Sequence, residues 1–278
     1  GWLMAPLEDT LAAEGIGHVS FILDEGLRSL PLAALHDGDQ FIIENYSVGL
    51  MPSLSLTDTR IGDIRNAEVL AMGASEFSDQ PPLPAVPLEI STIGRSWSGE
   101  AYLNETFTPE TLVTQRTEDA YPILHLATHG QFTGGGLSNS YIQFWNRRLS
   151  LDELPQLQLS DPAVELLVLS ACRTVLGDEE AELGFAGLAI KSGAKSAIAA
   201  LWQVSDLETA GLMAELYTQL GQVTYKAEAL RQAQLAMLRG EVVVQDDNLV
   251  WSGGSEPLPE AFRHLNIADT RHPYYWSA

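Results

Sequence analysis

A chain of 278 residues, 45% of them hydrophobic, is long enough to bury one sizeable α/β core. Its 37 acidic residues against 15 basic ones give a formal charge of −22, with no basic cluster longer than the Arg147–Arg148 pair, which disfavours phosphate backbones and anionic membrane surfaces as partners. A single cysteine excludes an internal disulfide and a thiolate zinc site, and no stretch approaches eighteen consecutive apolar residues. The start "GWLMAPLEDT" lacks the basic residues and long apolar centre of a signal peptide. The expectation is a soluble, cytoplasmic chain with no metal, no cofactor, no nucleic acid and no membrane among its partners. A cationic peptide or basic protein surface would be attracted, although acidity that serves only solubility accounts for the charge equally well.

Along the chain, "HVSFIL" (His18 to Leu23) predicts a strand, and "DGDQFIIENYSV" (Asp37 to Val48) a turn followed by a strand of mixed burial. "AEVLAMG" (Ala67 to Gly73) has the apolar run of a central strand. The Pro-rich "QPPLPAVP" (Gln80 to Pro87) interrupts regular structure, and "LEISTIGRSW" after it predicts a short helix. "YPILHLATHG" (Tyr121 to Gly130) and "AVELLVLSAC" (Ala163 to Cys172) are continuously apolar, the pattern of parallel strands covered on both faces. "GFAGLAIKSGA" (Gly184 to Ala194) predicts a helix closing at Gly193, and "KSAIAALWQV" (Lys195 to Val204) a third buried strand. Apolar residues recur at helical spacing from Leu207 to Leu220 and from Lys226 to Leu238. The acidic, Gly- and Pro-rich Gln245 to Glu260 predicts a long loop. This alternation argues for a largely parallel sheet covered by helices.

In such sheets the chemistry collects beyond the carboxyl ends of the strands. His129 follows "ILHLAT" and Cys172 follows "LLVLSA", 43 positions later, so adjacent strands would bring the two together. A thiol of ordinary pKa, about 8.5, needs a base or a cation beside it to become a nucleophile at neutral pH, and an imidazole supplies either. Taken alone, Cys172 reads equally well as a small buried thiol. Gly130 leaves room for a substrate backbone, and its amide and that of Cys172 are candidate donors to an oxyanion. His125, between leucines, reads as a hydrogen-bonded core histidine. His18, His36, His264 and His272 have no comparable setting. The acidic run "GDEEAE" (Gly177 to Glu182) does not match an EF-hand loop and reads as a solvated loop over the site. There is no G-x-S-x-G elbow, and "GLAIKSGAKS" has the wrong spacing for a phosphate loop.

The pairing of "HLATHG" with "LSACRT", followed by "GFAGLAIKSGAKSAIAALWQVSD" (Gly184 to Asp206), resembles the CHAT domain, a caspase-like family in the clan of caspases, separases, metacaspases and gingipains. "LRSLPLAALHDG", "PSLSL" and the closing "HPYYWSA" extend the resemblance over nearly the whole chain. It implies a caspase-like three-layer α/β fold with a mostly parallel central sheet flanked by helices, spanning 1–278 as an amino-terminal subregion (1–75) and a catalytic core (76–278). It further implies a cysteine endopeptidase with His129 as base and Cys172 as nucleophile, acting on a protein or peptide substrate. "LWQVSD" is similar to the family's strand and loop beside the first substrate pocket, which makes Trp202 and Asp206 substrate-binding candidates, Asp206 as partner of an Arg or Lys side chain. By position Asp206 serves equally as a cap of the helix that begins near Leu207. Metacaspases carry an aspartate two positions before the cysteine, where Ser170 stands here as a third substrate-binding candidate. The resemblance also implies a bacterial signalling or defence protein, an amino-terminal repeat domain or regulatory partner outside this sequence, and a short terminal strand beyond "YWSA". A catalytically silent signalling module on the same fold is the alternative.

Overall fold

The computed structural model describes residues 3–24, 27–54, 60, 62–132, 137–170, 173–174, 184–202, 204–264 and 269–278. The chain opens with α1 (Glu8–Ala13), β1 (His18–Phe21) and β2 (Ser47–Leu50), and continues through β3 (Val69–Gly73), α2 (Val86–Ser96), β4 (Gly99–Leu103), α3 (Pro109–Glu118) and β5 (Ile123–Ala127). Three short strands follow, β6 (Gly130–Phe132), β7 (Tyr141–Gln143) and β8 (Arg148–Ser150), and then β9 (Leu166–Ser170), β10 (Arg173–Thr174), α4 (Gly184–Lys191) and β11 (Ala197–Ala199). The remainder is α5 (Asp206–Leu220), α6 (Lys226–Arg239), β12 (Val243–Gln245), β13 (Asn248–Trp251) and β14 (Gly254–Pro257).

The central sheet has the order β11-β9-β5-β3-β4 and is parallel throughout. Every residue of β3, β5 and β9 is buried, because the sheet is covered on both faces. Leu70, Met72, Leu124, Leu126, Leu167 and Leu169 pack on one face, with Leu112 of α3 and Leu188 of α4. Val69, Ala71, Ile123, Ala127, Leu166 and Val168 pack on the other, with Ile90 and Ile93 of α2 and Met213 and Leu216 of α5. The result is the three-layer α/β architecture of a caspase-like fold. A further apolar cluster joins Phe21, Leu32 and Ile43 to Leu235 and Met237 of α6, Trp251 of β13 and Trp276. Among the described residues no helix is long and apolar enough to cross a membrane.

Three expectations need correction. The strand expected after Asp37 starts only at Ser47, because Ile42–Glu44 form a 3₁₀ turn that buries Ile42 and Ile43 instead of alternating them. The third buried strand, expected over Lys195 to Val204, is three residues long and half-buried, since β11 is an edge of the sheet with β9 on one side only. Gln245 to Glu260 is not a long loop: β12, β13 and β14 form an antiparallel sheet. Asp246 and Asp247, at φ 50 and 54, make the tight turn between the first two strands, and Leu249 and Trp251 are buried. Turn residues dominate that segment's composition and mask the alternation between the turns.

β4 and α3 carried no sequence expectation. β4 is the other edge strand, with Gly99, Glu100 and Ala101 exposed, so it lacks an apolar run. α3 does carry a start signal, since Thr108 accepts the Thr111 N–H at 3.1 Å and Pro109 follows it in the first turn.

The order of the strands sets the position of the site. From β3 the chain goes outward to β4, then returns to the opposite side of β3 for β5, β9 and β11. α2 leaves β3 on one face, while the chain beyond β5 buries Ile142, Phe144 and Leu149 on the other. The carboxyl ends of β3 and β5 therefore border the crevice at which such sheets bind ligands. Gly73 ends β3 there. A Cβ at this position would lie 2.6 Å from the Ala127 carbonyl oxygen and 2.7 Å from Val86, so the close approach of α2 to the two strand ends requires glycine.

Candidate active site

His129 sits two residues beyond the end of β5, and Thr128 fixes the exit. The Thr128 N–H donates to the Ser170 carbonyl at 3.1 Å and its hydroxyl to the Gln143 carbonyl at 2.6 Å, inside the core. The half-buried imidazole then meets the Pro-rich segment between β3 and α2. Its Nε2 lies 2.8 Å from the Pro81 carbonyl oxygen, and its ring lies 4.6 Å from that of Phe77. A carbonyl oxygen only accepts, so Nε2 carries the proton and Nδ1 holds the lone pair. Nδ1 has no partner among the described residues. Burial lowers the His129 pKa from its ordinary value, against smaller opposing effects of the Pro81 hydrogen bond and the Asp79 charge. At neutral pH the ring is therefore uncharged.

The segment that orients it is held at several points. The Ser75 N–H donates to Asn104 Oδ1 at 2.9 Å, Gln80 bonds Gln143 at 3.0 Å, and Arg148 pairs with Asp79 at 2.5 Å. Pro81 was missed as a site residue by sequence reasoning. Its contribution is a backbone carbonyl, which no side-chain pattern records, and the Pro-run signalled only a stretch without regular structure.

Cys172 and the acidic run Gly177 to Glu182 lie outside the described residues. Both flanks of the cysteine are described. Ser170, buried at the end of β9, pairs with Ala127, and Arg173 of β10 pairs with Gln131 of β6. Gly130, the first residue of β6, is buried and lies opposite Ile142. The Gln143 N–H donates to the His129 carbonyl at 2.8 Å, which makes the adjoining Gly130–Ile142 pair the non-hydrogen-bonded kind. The Gly130 amide therefore faces away from β7, toward the side on which β10 runs.

Trp202 lies three residues past β11. Its indole N–H donates to the Tyr274 carbonyl at 3.1 Å, and the two rings stack at 6.0 Å. Asp206 opens α5 as its first residue, with Ser205 as the cap position. Its carboxylate accepts not from its own helix but from the Ala85 N–H at 2.7 Å, at the amino end of α2. Burial pushes the Asp206 carboxyl up to about 7; the Ala85 hydrogen bond opposes that rise and the nearby charges of Glu89 and Glu208 add to it. His125 has the setting expected of a core histidine. It is fully buried, with Nε2 2.9 Å from Glu89 Oε1 and Nδ1 3.2 Å from the Tyr217 hydroxyl.

A family model described as the CHAT domain matches residues 1–278, the whole chain. No curated protein matches it.

Proposed function

The chain belongs to the CHAT domain family, which is related to the caspase-like peptidases, and we propose that it is a cysteine endopeptidase with Cys172 as nucleophile and His129 as base. The observation that carries this reading is the His129 imidazole at the exit of β5, whose Nε2–H is committed to Pro81 while Nδ1 has no partner among the described residues. The pairing of Ser170 with Ala127 and of Arg173 with Gln131 supports Cys172 as the group it serves, because the described residues on either side of the cysteine pair with those on either side of His129.

In the reaction, Nδ1 takes the thiol proton and the sulfur attacks the peptide carbonyl carbon, placing negative charge on the carbonyl oxygen. The Gly130 amide, turned toward the β10 side, supports its role as an oxyanion donor together with the Cys172 amide. Collapse breaks the carbon–nitrogen bond as His129 returns its proton to the leaving amine. Water, deprotonated by the same nitrogen, then hydrolyses the thioester and restores the thiol. The place of Trp202 beyond β11 supports a part in the groove that receives the residue before the cut.

The test is cleavage of a peptide library varied at the residue before the cut, read by mass spectrometry, with wild type beside Cys172→Ala. Cutting that depends on Cys172 is the expected result, whichever residue precedes the cut. Equal turnover by both proteins would contradict the assignment.

A further inference from the structure

The proline run that carries the His129 partner into α2 has few backbone hydrogen-bond donors, and each can be traced. Between Pro81 and Pro87, four of the seven residues are prolines without an N–H. Of the remaining three, Leu83 donates to the Ser75 carbonyl at 2.9 Å, back at the exit of β3, and Val86 to the Leu83 carbonyl at 3.1 Å. Only Ala85 donates to a distant part of the chain, the Asp206 carboxylate 121 positions away on α5. Ala85 is fully buried, so its N–H has no water to replace that acceptor. Of the three residues between it and Pro81, Pro82 and Pro84 have restricted φ and Leu83 is held by the Ser75 carbonyl, so the run has little slack to absorb a displacement at Ala85.

We propose that Asp206 is a positioning residue for His129: by accepting the Ala85 N–H it fixes the amino end of α2 and, through the prolines, holds the Pro81 carbonyl against Nε2. The inference rests on His129 being the base, but its test needs no cleavage. Asp206 stands at the amino ends of two helices at once, where a carboxylate is favoured by both. Glu89 of α2 and Glu208 of α5 are the charged groups that act on it, and Asp79 is the one that acts on His129.

The experiment is an NMR titration of the histidine rings of the full chain, with His129 assigned by its loss in His129→Gln. In Asp206→Ala the segment loosens, water reaches the ring, and the His129 midpoint moves up toward about 6.5. In Asp206→Asn, whose amide oxygen still accepts the Ala85 N–H, the midpoint stays at the wild-type value. An unchanged midpoint in Asp206→Ala, or an equal shift in both variants, would overturn the proposal. If Asp206→Ala does not fold, hydrogen exchange at the Ala85 amide decides: slow exchange in wild type and Asp206→Asn supports the latch, and fast exchange in wild type overturns it. Failure of the peptidase reading would show separately, as cleavage that is absent or independent of Cys172.

Discussion

His125 and His129 stand four positions apart on one strand and its exit, and each has Nε2 close to an oxygen: that of Pro81 accepts a hydrogen bond at 2.8 Å, whereas that of Glu89, 2.9 Å away, is outside hydrogen-bonding geometry. They differ at the other nitrogen. In His125 it faces the Tyr217 hydroxyl at 3.2 Å inside a sealed core, whereas in the half-buried His129 it has no partner among the described residues. Position along the strand makes one imidazole a structural link between α2, the sheet and α5, and leaves the other free to move a proton. The available lone pair, rather than the residue type, distinguishes the ring proposed as the base.

Substitution at the two positions should separate these roles. His129→Ala should lower peptide cleavage by roughly 10²- to 10⁴-fold, the usual range for loss of a general base, while the melting temperature stays near that of wild type. His125→Ala should act in the opposite way, costing about 3 kcal/mol of stability because Glu89 and the Tyr217 hydroxyl lose a buried partner. Urea unfolding set beside turnover per folded molecule measures both. If His125→Ala abolished turnover without loss of stability, the distinction would fail.

A smaller effect sharpens the comparison at Asp206. Its carboxyl titrates at about 7 in the fold and at roughly 3.9 in the unfolded chain, so between these values the folded protein holds a proton that the unfolded one lacks. Stability should therefore fall as pH rises through that window and level off above it. Asp206→Asn removes this dependence, and its melting temperature relative to wild type should be more favourable at pH 8 than at pH 5. With the charge partly screened by solvent, the difference should be on the order of 1–2 kcal/mol. A difference independent of pH would mean that the carboxylate is not buried as described.

Much of this was legible in the sequence because burial on both faces leaves a clear mark. Val69–Gly73, Ile123–Ala127 and Leu166–Ser170 have no polar side and read as central strands, and the residues after two of them supplied His129 and Cys172. The edge strands were harder. Glu100 faces outward on β4, and β11 is only half-covered, so neither carries the pattern of its neighbours. At the site, side-chain chemistry pointed to His129, but nothing pointed to the carbonyl of Pro81 that fixes its tautomer. Asp206 was visible as a carboxylate at a helix start, yet its partner, the Ala85 amide, lies on another helix and comes near only through folding.

The most direct test of the account is the rate of alkylation of Cys172 by iodoacetamide as a function of pH. The chain has one cysteine, so the reaction reports a single thiol and requires neither a substrate nor an activating partner. The account predicts alkylation that persists in wild type below pH 8.5, because the neutral His129 ring takes the thiol proton as the sulfur attacks, and that follows the thiol's own ionisation near about 8.5 in His129→Ala. A rate that follows an ionisation near about 8.5 in both proteins would contradict it.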